Sequence, residues 1–185
     1  DHHPLLAGIT KPGYALDSYQ QVLLGYYHLY RVLERRITAA IARQALGFDY
    51  QARLKLPWIQ ADLTFFHLDP LEERHVPRHA LHALEIRNPA QLAGMLYAIE
   101  GATLGGQVIA RHVQTHLGLT RYAGARFFSG YAPETAAHWA AFERFLQQSC
   151  VDASSQRQAC DAAVATFLQV ESTLDAHHEK RHATV

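Results

Sequence analysis

Cysteine is scarce in this chain, with only Cys150 and Cys160 among 185 residues. Two cysteines cannot build a disulfide framework, and reduced thiols in a cytosolic protein are the natural reading. An excess of one charge is also missing: 17 Lys and Arg stand against 17 Asp and Glu, a formal net charge of zero. That balance argues against a nucleic-acid binder and against a charged disordered tail. No uncharged apolar run reaches the roughly 18–20 residues that span a bilayer, so no membrane span is expected. Alternation of apolar and polar residues with β-branched enrichment is lacking too, which leaves no candidate strand. No internal repeat or linker is evident, and no secretory leader is visible in the sequence. The chain opens at Asp1 without an initiator Met, so the natural N-terminus is expected upstream. Phosphate-cradling and dinucleotide motifs and the nucleophile elbow are all absent.

What remains is a chain that is 49% apolar and carries 13 histidines. Its length suits one domain with a single core. Histidine is a common metal ligand, so its abundance draws attention first.

The apolar periodicity is helical throughout. From Tyr19, the residues Val22, Leu23, Tyr26, Tyr30, Leu33, Ile37 and Ile41 step by three and four, as one buried helix face does. Asp17 or Ser18 caps this helix and Gly47 follows its end. A second helix is expected from Pro57 through Leu63, Phe66 and Leu68, ending at Asp69-Pro70-Leu71. Residues 74–84 are histidine-rich and interrupted by Pro77, which predicts a short or broken helix. Asn88-Pro89 is a cap followed by proline at the first helical position, and the helix it opens runs to about His116 or Leu117, with Gly118 as the stop. Residues 119–131 form a connector. Pro133 opens a further helix through Trp139, Phe142 and Leu146. Ser154 or Ser155 caps the last one, through Val164, Phe167, Leu168 and Leu174, and the tail after about His177 frays. The fold class is all-α: one helical domain over residues 1–185, with six to eight helices.

One segment breaks the local rules. Residues 94–106 read Gly-Met-Leu-Tyr-Ala-Ile-Glu-Gly-Ala-Thr-Leu-Gly-Gly. Each of the four glycines costs about 0.5–1 kcal/mol relative to Ala inside a helix, roughly 2–4 kcal/mol in all. Such inconsistency concentrates at functional sites. Gly101 and Gly105, four apart, share a face. Their bareness either lets a flat ligand approach the backbone or lets another helix pack closely.

The string from Tyr97 to Gln107, Tyr-Ala-Ile-Glu-Gly-Ala-Thr-Leu-Gly-Gly-Gln, resembles the distal helix of haem oxygenases, most closely the bacterial biliverdin-producing type found beside bacteriophytochromes. Further stretches are similar in order and spacing. His3-Pro4-Leu5-Leu6, Tyr19 and the stretch from Tyr27 to Glu34 resemble the family's first two helices. Phe127-Phe128 with Tyr131 resembles the connector, and Trp139, Phe142 and residues 167–174 the last two helices. The resemblance covers nearly the whole chain and implies a haem-oxygenase-like helical bundle. It implies haem as both substrate and cofactor, cleaved with O2 to biliverdin, carbon monoxide and iron. It further implies an electron-donating reductase or ferredoxin and, as recipient of biliverdin, a phytochrome.

On this resemblance Gly101, Ala102, Thr103 and Gly105 are the catalytic-site residues, and Tyr97, Gly101, Gly105, Gly106, Arg126 and Phe128 contact the cofactor. The glycines form the distal wall, and Thr103 could hold a water. Arg121 and Arg126 flank the connector, where arginine suits haem propionates; a solvated basic patch is the alternative. Ala102 departs from the mammalian-type pattern, which has a carboxylate there. The family's axial histidine precedes an acid that Asp1 resembles, so the iron ligand is expected upstream of Asp1. His2 or His3 is the substitute within the chain.

Two other readings stay open. A binding protein of this fold would hold haem or biliverdin without turnover. A di-iron oxidase would use Glu-x-x-His pairs such as Glu72 with His75 and Glu179 with His182. His75, His79 and His82 share one helical spacing, as do His112 and His116, and a solvated histidine face is the simple account of both. Tyr19, Tyr26, Tyr27 and Tyr30 follow the helix period and read as core.

Overall fold

A computed structural model describes residues 3–44, 46–70 and 85–183, with backbone alone beyond His177. Among the described residues there are five α-helices and two short 3-10 turns, and no strand. The all-α expectation holds. No helix among these residues is long and apolar enough to cross a membrane.

Helix α1 (Leu16–Gln44) buries Tyr19, Val22, Leu23, Leu33 and Ile37 along the stripe that periodicity marked. A 3-10 turn at Gln51–Arg53 leads into α2 (Leu56–Phe65). No side chain near α2 in sequence caps its start. Glu34 of α1 does so instead, its carboxylate accepting the backbone N–H groups of Lys55 at 2.5 Å and Leu56 at 3.2 Å. Helix α2 ends before the expected Asp69-Pro70, because His67 takes a left-handed φ of 55° that no helix continues through. Phe66 and Leu68 therefore lie outside it. Residues 71–84, including Glu72, His75, His79 and His82, fall outside the described residues.

Helix α3 (Pro89–Leu117) matches the expected bounds and runs unbroken through its glycines. The Asn88 side chain accepts the Gln91 N–H at 2.9 Å, and Gly118 closes the helix at φ 68°. The connector that follows is pinned from two sides. Asp62 of α2 accepts the N–H groups of Arg126 and Phe127 at 2.7 and 2.8 Å. The Tyr19 hydroxyl donates to the Gly124 carbonyl at 2.8 Å. A 3-10 turn at Ala132–Glu134 precedes α4 (Thr135–Ser149), which seats Phe142 in the core.

Helix α5 (Ala153–Ala183) is capped by Asp152, not by the expected Ser154 or Ser155. The Asp152 carboxylate accepts the Ser155 N–H at 2.7 Å, while the Ser155 hydroxyl accepts the Asp152 N–H at 3.1 Å. This is a reciprocal capping box, and an acid at a helix start also suits the helix dipole.

Helix α5 packs against both α1 and α3, and glycines set the closeness. A methyl group at Gly94 would lie 2.0 Å from the Ala159 carbonyl oxygen, and one at Gly25 would lie 2.8 Å from the Leu174 side chain. Cys150 and Cys160 are both free thiols.

Candidate functional site

The glycines of α3 differ in what surrounds them. Gly94 serves helix packing. Gly106 abuts the connector, where a methyl group would meet the Phe128 carbonyl at 3.1 Å. At Gly101 and Gly105 a methyl group would meet no heavy atom within 4 Å. Neither packing nor a positive φ calls for glycine at these two positions, yet each lowers helix stability.

Beside this bare stretch lies a cleft of about 520 Å³, inside the range of roughly 300–1,000 Å³ typical of ligand pockets. Ala98, Ala102, Gly105 and Ile109 of α3 line one wall, at the spacing of a single helix face. Tyr26, Leu29, Tyr30 and Leu33 of α1 line the opposite wall. Phe127 and Phe128 lie between them, with the Tyr26 ring 5.0 Å from Phe127. Leu6 and Thr10 close one side and Phe167 and Val170 of α5 another. The lining is mostly apolar, and small residues flatten the α3 wall. Such a cleft fits a broad, planar, apolar molecule.

Of the sequence-predicted residues, Ala102, Thr103, Gly105, Gly106 and Phe128 come together here. Gly101 does not join the lining, although a methyl group there would meet no heavy atom within 4 Å. Thr103 is buried, and its hydroxyl donates to the Ile99 carbonyl at 3.2 Å. Tyr97 does not join the lining: its ring lies 6.1 Å from Trp139 and is half exposed. Arg126 does not join either. Its guanidinium donates to the Gly130 carbonyl at 2.7 Å and lies over the Trp58 ring. Arg121 lines a different, more polar hollow with Arg111 and Gln114.

None of the described lining residues is a histidine. His3 is held at both ring nitrogens, by Asp175 at 3.0 Å and by the Leu5 N–H at 3.1 Å. His2 lies outside the described residues. His112 and His116 stack on α3, and no metal-ligating group of three or more side chains occurs among the described residues.

Sequence reasoning missed two features. The first is the aromatic wall of α1. Tyr30 is buried in the core and Tyr26 packs against it, as their period implies, but both also line the cleft, and burial pushes the Tyr26 phenol up to about 12. The second is a buried polar cluster beside the cleft, built on Glu100. Arg53 donates to one Glu100 oxygen at 2.9 Å and Lys55 to the other at 2.7 Å. The Tyr131 hydroxyl lies 3.0 Å from both oxygens and 3.0 Å from the Lys55 ammonium. Lys55 also donates to the Arg53 carbonyl at 3.1 Å, so its three donors are all used. Lys55 and Glu100 are only 1% and 2% exposed. Burial pulls the Lys55 ammonium below its ordinary range, against the pull of Glu100 in the other direction. Burial also raises the Tyr131 phenol, and the Glu100 charge adds to this. The Tyr131 ring stacks on His138 at 3.8 Å, and burial followed by the Arg53 charge lowers that imidazole. Nothing local in sequence joins these residues.

The fold is a helical bundle with a mostly apolar cleft between two long helices. Residues 7–175 match the model of the heme oxygenase family. A heme oxygenase of Xanthomonas campestris pv. campestris (strain 8004) is 31% identical over 161 residues, 86% of this chain and 90% of that protein. The NO- and CO-bound heme oxygenase of Neisseria meningitidis superposes with a TM-score of 0.74 at 18% identity, over 94% of this chain and 82% of that one. The heme oxygenase of Leptospira interrogans gives 0.73 at 15% identity, over 93% and 89%. The chain belongs to the heme oxygenase family.

Proposed function

We propose that this protein cleaves haem oxidatively to biliverdin, carbon monoxide and iron, with O2 and with electrons from a reductase or ferredoxin. The open space at Gly101 and Gly105 beside a cleft of suitable size and apolarity carries this reading. The lining fits the porphyrin ring: Ala98, Ala102, Gly105 and Gly106 would face one side of the macrocycle, and Phe127, Phe128, Leu29 and Leu33 would exclude water around it. When bound, haem supplies both the ring that is cleaved and the iron at which oxygen is activated. Tyr26 and Tyr30 stay neutral at working pH and offer hydroxyls without adding charge. Thr103 keeps lone pairs free to accept a hydrogen bond from water while its proton goes to Ile99. The chain acts in the cytoplasm, and its resemblance to biliverdin-producing enzymes found beside bacteriophytochromes supports a phytochrome as the recipient of biliverdin.

The test is a haemin titration followed by reductant and oxygen. A Soret band that forms and then bleaches to biliverdin absorption is expected. A stable band without turnover, in the presence of a competent electron donor, would overturn the catalytic reading.

A further inference from the structure

The α3 wall of the cleft has an unusual mechanical problem. Helices are normally held by large side chains seated between those of a neighbour. Between Ile99 and Val108, α3 presents Ala102, Thr103, Gly105 and Gly106 to the cleft, which offer little for a neighbour to grip. Two contacts on either side of the bare stretch meet this need. At its C-terminal end, Gly106 lies against the Phe128 backbone. At its N-terminal end, Glu100 immediately precedes Gly101 and takes two cations and a phenol.

These partners come from separate parts of the chain. Arg53 and Lys55 precede α2, and Tyr131 ends the connector that carries Phe127 and Phe128. Arg53 also donates to the His138 carbonyl of α4 at 3.0 Å. Lys55 lines the cleft, yet with every donor used it has none left for a ligand. We propose that Glu100 is a positioning residue, which Lys55, Arg53 and Tyr131 clamp so that the glycine stretch of α3 stands at a set distance from the connector phenylalanines. The clamp fixes the width of the cleft and thereby the fit of haem, an inference that rests on the proposed function for its last step only.

Tyr131→Phe tests the clamp mildly. It removes one hydroxyl from Glu100 and Lys55 while keeping the ring on His138 and edge-on to Trp58. Amide hydrogen exchange in the ligand-free full chain reads the effect without haem. Exchange across residues 98–106 is expected to accelerate roughly tenfold, as loss of a hydrogen bond to a charged group implies, with α1 unchanged. Haemin affinity is expected to fall severalfold in the same variant. Glu143→Gln, on the exposed side of α4, is the control that changes neither. Lys55→Met should give the same local pattern more strongly. Unchanged or uniformly raised exchange in both clamp variants would overturn the clamp. Local acceleration with unaltered haemin affinity would overturn its role in setting the cleft. Failure of the unaltered protein to bind haemin would refute the functional reading and leave the exchange result to judge the clamp separately.

Discussion

Replacing both Gly101 and Gly105 by alanine should move stability and ligand binding in opposite directions. A methyl group at either position meets no heavy atom within 4 Å, so neither substitution strains the ligand-free protein. Each removes the conformational freedom of glycine from a helix interior, worth about 0.5–1 kcal/mol. Together they should stabilise the protein by about 1–2 kcal/mol, raising the melting temperature by roughly 2–8 °C for a domain of this size. The methyl group at Gly105 would enter the cleft, and the one at Gly101 lies one turn away on the same helix face. Overpacking costs about 1–3 kcal/mol, so haemin affinity should fall by about tenfold or more. Thermal denaturation of the ligand-free protein and haemin titration read the two effects separately. Gly94→Ala on the same helix is the contrast. Its methyl group would overlap the Ala159 carbonyl, so it should lower the melting temperature by several degrees. A double variant that is more stable and binds haemin as well as before would refute the ligand-facing role of these glycines. One that is less stable would refute the packing account.

Two further outcomes follow from the acids that hold α2 and the connector. Burial raises the Asp62 carboxyl from 3.8 to about 6, outweighing its two backbone N–H donors. The folded state therefore holds that proton more tightly than the unfolded chain. The associated stability is fully present below about pH 3.8 and is lost as pH rises through about 6. Its size is on the order of 2–3 kcal/mol. Urea titrations from pH 4 to 7 should show this component of the slope vanish in Asp62→Asn; an unchanged slope would contradict it. Glu34→Ala should destabilise the protein by about 1–3 kcal/mol, because two buried N–H groups at the start of α2 lose their acceptor. Chemical denaturation checks this, with Glu34→Gln retaining part of the loss as the expected intermediate.

The sequence made α3 legible because both of its ends are local signals: Asn88-Pro89 opens it and Gly118 closes it. The end of α2 was misjudged because the backbone reverses at His67, a residue type that carries only a weak turn signal. Gly94, Gly101, Gly105 and Gly106 look alike in sequence, yet one meets a helix, one meets a connector and two meet open space. That distinction is tertiary. Tyr97 and Arg126 have suitable chemistry for a haem site, but neither joins the cleft lining. The Glu100 cluster was invisible for the converse reason. The pair Arg53 and Lys55 lies far in sequence from Glu100 and from Tyr131, and only folding brings them together. The histidines, prominent by number, supply none of the described cleft lining.

The capping of α2 by Glu34 bears on how this short helix is held. With no cap of its own, and with only ten residues, α2 is too short to persist alone in water. The carboxylate that α1 places at its start supplies part of what holds it. Through Asp62, the same short helix then holds the connector that carries Phe127 and Phe128. Opening of α2 would thus release that connector as well, which couples the short helix to Phe127 and Phe128 as one cooperative unit.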